Sequence, residues 1–167
     1  MKRIINFGLV LLIVLVSSIP GLAEPTFSCA DVTEVPQLEC EALVALYNST
    51  NGVNWTNHTN WLVTNTPSNW YGVTVEIGHV TKLVMNDNQL SGPIPPELSN
   101  LSGLVRIWLF NNQLSGSIPV ELGQLSNLVD LVLFNNQLSG PIPPELGNLA
   151  NLERLLLYGN LLKGSIP

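Results

Sequence analysis

The chain has 167 residues, 46% hydrophobic and only 11% charged, where a soluble domain carries about 25% charged residues. Six basic against twelve acidic residues give a formal charge of −6, so the basic footprint of a nucleic-acid binder is absent. Two cysteines are too few for a disulfide-dense miniprotein or a four-cysteine zinc site.

The first residues read as an address. Met1-Lys2-Arg3 is followed by an apolar run from Ile4 to Val16, then by Ser17 to Ala23 with small residues before a cut after Ala23. That three-part layout marks residues 1–23 as a secretory signal peptide. The apolar run of 13 residues is shorter than the ~20 an uncleaved membrane anchor needs. No other segment approaches transmembrane length. Cleavage leaves four basic against twelve acidic residues, a net charge of −8. The expected product is secreted or held at the cell surface, and export favours a Cys29–Cys40 disulfide over two free thiols.

Residues 36–48 predict a helix, with Pro36 at its start, Gly52 just beyond its end, and Leu43, Leu46 and Tyr47 as its buried stripe. Trp55, Trp61 and Trp70 follow in a stretch rich in asparagine and threonine. Tyr71 to Glu76 and His79 to Met85 then predict two strands around Ile77-Gly78.

From residue 80 the chain repeats itself. Asn88, Asn112, Asn136 and Asn160 are 24 apart, as are Gly92, Gly116, Gly140 and Gly164, and Ile94, Ile118, Ile142 and Ile166, each isoleucine being followed by proline. Three leucine-type columns keep the same step: Val80, Leu104, Leu128, Leu152; Leu83, Ile107, Leu131, Leu155; and Met85, Leu109, Leu133, Leu157. A period in this range with an L-x-x-L-x-L-x-x-N-x-L pattern marks a leucine-rich repeat. Within each unit, inward leucines such as Leu131 and Leu133 alternate with Val132 and Phe134 at strand period. The repeated asparagine amide, both donor and acceptor, is expected to satisfy buried backbone in the turn that follows. Glycine and proline then return the chain.

Units such as Asn136-Gln137-Leu138-Ser139-Gly140-Pro141-Ile142-Pro143-Pro144-Glu145-Leu146-Gly147 resemble the plant-type leucine-rich-repeat family. Ala42-Leu43-Val44-Ala45-Leu46-Tyr47 and Trp70-Tyr71-Gly72-Val73-Thr74 are similar to the N-terminal cap that precedes such repeats, including forms in exported bacterial proteins. The resemblance implies a curved solenoid used for extracellular recognition of proteins, peptides or carbohydrates. One departure stands out: Ser68 and Val75 occupy places where the family commonly has cysteines. The expected fold is an α/β-type leucine-rich-repeat solenoid, with a parallel concave sheet of about four strands behind a helix-plus-hairpin cap. Its divisions are a cap region at 24–79 and repeats at 80–167, three full units of 24 residues and a truncated fourth. The last unit stops after 16 of its 24 residues, which reads as a C-terminally incomplete chain, marginal in stability and able to self-associate through its uncapped end.

Catalytic chemistry finds little support. His58 and His79 are the only histidines, and no nucleophile motif, phosphate loop, metal cluster or cofactor motif accompanies them. Glu97, Glu121 and Glu145 recur in one slot of successive repeats, which reads as a solvated outer ridge. The three cap tryptophans read as packing in preference to a sugar platform. Asn48, Asn54, Asn57 and Asn100 fit the glycosylation acceptor pattern, which has meaning only in a host with that pathway.

The concave columns are more informative. One holds Val84, Trp108, Val132 and Leu156, the next Asn86, Phe110, Phe134 and Tyr158, and a third Lys82, Arg106, Asp130 and Arg154. Neighbouring strands lie ~4.8 Å apart, so Phe110, Phe134 and Tyr158 are expected side by side. Aromatic cross-strand pairs also stabilise sheets by themselves, but aromatic side chains facing solvent point to recognition. Asp130 between two arginines suggests ladder-like pairing, worth little if exposed; the row could orient an acidic partner beside the aromatics or be purely structural. The sequence thus predicts a non-catalytic binding module with Arg106, Trp108, Phe110, Asp130, Phe134, Arg154 and Tyr158 as its contact set. The alternatives are a structural surface scaffold and the sensor part of a larger receptor.

Overall fold

The computed structural model describes residues 27–166, so the signal peptide expected at residues 1–23 lies outside the described residues. The first regular element is a helix, α1 (Gln37–Ser49), one residue displaced from the expected span. Proline cannot donate a backbone N–H, and Pro36 accordingly takes the N-cap position with an extended conformation. The expected stop at Gly52 is in fact made one residue earlier, where Asn51 takes the left-handed conformation (φ 61°). Gly52 serves a different need: any Cβ there would run into the Tyr47 ring.

The tryptophan-rich stretch folds over this helix. Trp55, Trp61 and Trp70 are buried, and their rings meet in sequence: Trp55 against Trp61 at 4.9 Å between centroids and Trp61 against Trp70 at 5.0 Å. Tyr47 packs edge-on to Trp55 at 5.1 Å, and Phe27 to Trp70 at 5.4 Å. Each buried indole finds an acceptor, at Thr50 O, Tyr71 O and Thr64 O respectively, as the polar edge of a buried tryptophan requires. These rings are therefore core, with no face left for a sugar. Cys29 and Cys40 are disulfide-bonded, their Cα atoms 5.6 Å apart, which ties the N-terminal segment to α1. Ser68, at one of the two places where the resemblance led one to expect a cysteine, donates its backbone N–H to Glu34 Oε2 at 2.8 Å.

A hairpin, β1 (Val73–Glu76) and β2 (His79–Val84), leads into the repeats. β2 continues as a parallel sheet through β4 (Arg106–Trp108), β6 (Asp130–Val132) and β8 (Arg154–Leu156), in the order β1-β2-β4-β6-β8. Each strand pairs with the next at a step of 24, for example Ile107 with Leu131. That register follows from the repeat length, since equal units stack in phase.

A second sheet lies on the return side of each unit and was not legible from the period alone. It runs β3 (Ser91–Pro93), β5 (Gln113–Gly116), β7 (Gln137–Gly140) and β9 (Leu161–Leu162), all parallel. The expected glycine turn sits at its exit, as at Gly116 (φ 77°). Short 3₁₀ turns at Pro96–Asn100, Val120–Gln124 and Pro144–Asn148 complete the outer side. Between the two sheets one core is continuous from Val32 to Leu149, taking in Leu83, Ile107, Leu131, Leu90, Leu114 and Leu138. The Glu ridge is only partly as expected: Glu97 is exposed, whereas Glu145 is half-buried.

The asparagine column performs the predicted task. Asn112 Nδ2 donates to Met85 O and Leu109 O, at 2.9 and 3.0 Å, while its Oδ1 accepts from Asn88 N and Leu90 N, both at 3.0 Å. Asn136 and Asn160 repeat the same donations one unit on. An asparagine here therefore links two successive units rather than facing a ligand.

Candidate binding face

The concave sheet carries three side-chain columns. In the first, Lys82, Arg106, Asp130 and Arg154 are direct register partners. Arg106 Nε lies 2.8 Å from Asp130 Oδ2, and Arg154 Nε 3.4 Å from Asp130 Oδ1. The ladder-like pairing is present, and its centre is not exposed, since Asp130 is only 2% exposed. The physical reason is that two long guanidinium side chains fold over one short carboxylate and exclude water from it. Lys82 instead pairs with Glu76 at 2.9 Å, which holds the Glu76 carboxyl below its ordinary value through that hydrogen bond and the lysine charge.

The second column is Val84, Trp108, Val132 and Leu156. Val132, the register partner of Trp108, is buried rather than solvent-facing. Arg106 Cζ lies 4.6 Å from the Trp108 ring centroid, a cation–π geometry. Trp108 Nε1 is covered and finds no acceptor among the described residues.

The third column is the aromatic one, and here spacing and structure agree closely. Phe110 and Phe134 are stacked at 4.5 Å with planes 12° apart, and Phe134 and Tyr158 at 4.7 Å and 8°. The backbone holds them in step: Asn111 N donates to Phe134 O at 3.1 Å and Asn135 N to Tyr158 O at 2.9 Å. Parallel pairing thus continues past the strand ends, and ring spacing equals strand spacing. Phe110 and Phe134 are half-buried and Tyr158 is exposed. All seven residues of the predicted contact set therefore share one face, with Asp130 recessed beneath its arginines.

Beside the rings runs a feature the sequence reading missed. Asp87, Asn111 and Asn135 all sit in the left-handed region (φ 55°, 54° and 53°), and their side chains form a ladder. Asn111 Nδ2 donates to Asp87 Oδ1, and Asn135 Nδ2 to Asn111 Oδ1, both at 2.9 Å. Hydrogen bonds from Asn86 and Asn111 hold the Asp87 carboxyl below its ordinary value. The fourth place is Gly159, also left-handed (φ 68°), where a Cβ would collide with Asn135 Oδ1. The available signal was the 24-residue recurrence of Asp, Asn, Asn and Gly, the residue types that tolerate this conformation.

Among the described residues no group of three His, Cys, Asp or Glu side chains could hold a metal. Among the described residues no helix is long and apolar enough to cross a membrane.

A parallel sheet built on a leucine–asparagine register defines the class. Residues 79–101, 103–125 and 127–149 each match the Leucine Rich Repeat family model, so this part of the chain is built of leucine-rich repeats, similar to those of plant receptor ectodomains. None of the curated proteins compared with it matches. Among solved structures it is similar to PEPR1 in the PEPR1–AtPEP1 structure (31% identity, TM-score 0.69), over 77% of this chain and 19% of that one. It is similar to the ectodomain of the receptor kinase SOBIR1 from Arabidopsis thaliana (29%, 0.65), over 77% and 70% of the two chains. It is likewise similar to the Arabidopsis receptor kinase HAESA in complex with the peptide hormone IDA and the co-receptor SERK1 (30%, 0.65), over 77% and 22%. The match spans about a fifth of the PEPR1 and HAESA chains.

Proposed function

We propose that this protein is an exported, non-catalytic recognition module whose concave face binds an extended segment of a protein or peptide. The observation that carries the reading is the in-register stack of Phe110, Phe134 and Tyr158 beside the Asp87–Asn111–Asn135 ladder. A rigid row of aromatic edges next to a row of one carboxylate and two amides offers apolar contact and hydrogen bonding in parallel, which suits a peptide backbone with alternating side chains. Carbohydrate is the weaker candidate. Sugars stack on open ring faces, and both faces of Phe134 are taken by its neighbours. Trp108, Phe110, Phe134 and Tyr158 serve as anchors, while Arg106 and Arg154, steadied by Asp130, set orientation.

The relatives support the same class of ligand, since the HAESA structure contains a peptide hormone. The signal-like N-terminus, the Cys29–Cys40 disulfide and the likeness to receptor ectodomains support a secreted or cell-surface location. Residues 24–79 act as cap and 80–167 as the binding repeats.

The test is selection of a displayed random-peptide library on the full chain, with a glycan array in parallel. Peptides should be enriched, and Phe134→Ala should weaken them at least about tenfold, the effect of losing one interface hot spot. Undiminished binding by a folded Trp108→Ala/Phe134→Ala double variant overturns the assignment of this face. Enrichment on glycans alone overturns the ligand class. The scaffold reading draws on a different observation, the exposed Leu155 in β8, Leu161 in β9 and Ile166 after it. Concentration-dependent light scattering with no peptide enrichment selects it.

A further inference from the structure

We propose that Asn48 and Asn100 are the N-glycan acceptors of this protein, carrying their oligosaccharides on the flank where the cap helix meets the first outer turn. The inference rests on the export reading above. Four asparagines lie in acceptor triplets: Asn48-Ser49-Thr50, Asn54-Trp55-Thr56, Asn57-His58-Thr59 and Asn100-Leu101-Ser102. The fold separates them. Asn57 is half-buried at the seam between cap and repeats: its Oδ1 accepts from Thr59 N and Thr59 Oγ1 at 3.0 and 2.7 Å, and its backbone is bonded on both sides by the Asn88 side chain. Asn54 commits its Nδ2, the atom a glycan would occupy, to Asn51 Oδ1 at 2.8 Å. Asn48, in the last turn of α1, and Asn100, at the end of the Pro96–Asn100 turn, are both exposed. Neither amide takes part in a hydrogen bond among the described residues.

The two acceptors belong to one surface, since α1 packs against the Pro96–Asn100 turn. That surface lies on the outer side, away from the concave strands beyond whose ends Phe110, Phe134 and Tyr158 stack. Later asparagines of the repeats are in no acceptor triplet, and several are committed instead: Asn112, Asn136 and Asn160 to the unit-to-unit turns, Asn127 to Ser102 O and Asn151 to Ser126 O. Glycans on Asn48 and Asn100 would cover a bulky, hydrated area and leave the aromatic row bare. In the transfer, the Asn Nδ2 bonds to the anomeric carbon of a lipid-diphosphate-linked oligosaccharide. The bond from that carbon to the phosphate oxygen breaks, the lipid diphosphate leaves with the electron pair, and a base takes one amide proton.

The experiment expresses the full chain in a secreting eukaryotic cell and treats the product with an amidase that releases N-glycans and converts each occupied Asn to Asp. Peptide mass spectrometry should show conversion at Asn48 and Asn100 and none at Asn54 or Asn57, and conversion at Asn54 overturns the assignment. Asn48→Gln and Ser102→Ala should each remove one glycan's worth of gel shift, and the pair should abolish it. Ser102→Ala keeps Asn100 itself, so a folding effect of losing that asparagine is separated from loss of the acceptor triplet. A chain secreted without conversion at either site, or converted at only one of the two, overturns the proposal and leaves export standing. A chain retained in the cell and bare overturns both.

Discussion

Glu39, in the first turn of the cap helix, accepts the backbone N–H of Val80, the first residue of the inward leucine-type column, at 2.8 Å through Oε2. Its other oxygen lies 2.6 Å from His79 Nδ1, and the carboxylate is only 2% exposed. A buried acidic side chain thus docks the cap onto the solenoid. The contact was not legible in the sequence, because a glutamate on a helix is normally solvated and a histidine at a hairpin carries no pattern.

Replacing Glu39 by alanine should therefore leave the buried Val80 N–H without an acceptor and cost about 1–3 kcal/mol. Glu39→Gln keeps one acceptor oxygen and should cost less. Denaturant melts of the two variants check the order, and equal stability of Glu39→Ala and the parent would show that the cap docks without this contact.

The unit-to-unit asparagine predicts a larger effect from a smaller change. Asn112→Asp is nearly isosteric, yet it points an oxygen at Met85 O and Leu109 O, which now accept from Nδ2. Two lost donations and an oxygen–oxygen repulsion in a part-buried turn should cost about 2 kcal/mol or more. The same substitution at exposed Asn127, bonded to Ser102 O, should be close to neutral. Thermal unfolding of the two variants gives the comparison.

Asymmetry is expected in the Arg106–Asp130–Arg154 group. Removing Asp130 releases arginines that are already partly solvated, whereas Arg106→Met leaves a buried carboxylate with only the longer 3.4 Å contact to Arg154. Arg106→Met should thus destabilise more than Asp130→Leu, since an uncompensated buried charge is the costly product. The reverse order in chemical denaturation would place the penalty on the arginines instead.

Acid should loosen the concave ladder. The Asp87 carboxyl sits below its ordinary value of 3.8 because Asn86 and Asn111 donate to its charged form. A depressed folded-state value means a contribution present at higher pH and lost as pH falls from the unfolded value through the folded one. Stability should decline below about pH 4, and Asp87→Asn should flatten that part of the curve. An unchanged acid limb in Asp87→Asn would remove the ladder as its source.

The repeat step, the inward leucines and the turn asparagines were legible from the chain alone because equal units stack in phase. One period therefore sets strand register, core and ring spacing together, and the Phe110–Phe134–Tyr158 row follows from that step. Contacts that do not repeat were not legible. The second sheet depends on how each unit closes, and the depth of Asp130 depends on how Arg106 and Arg154 fold over it. The Glu39 dock joins residues 41 apart with no periodic trace. Composition and period determined that this is a low-charge solenoid with aromatics on one face. Only the tertiary structure decided which polar groups water can reach, because burial is settled by neighbours from several units at once and not by any one position.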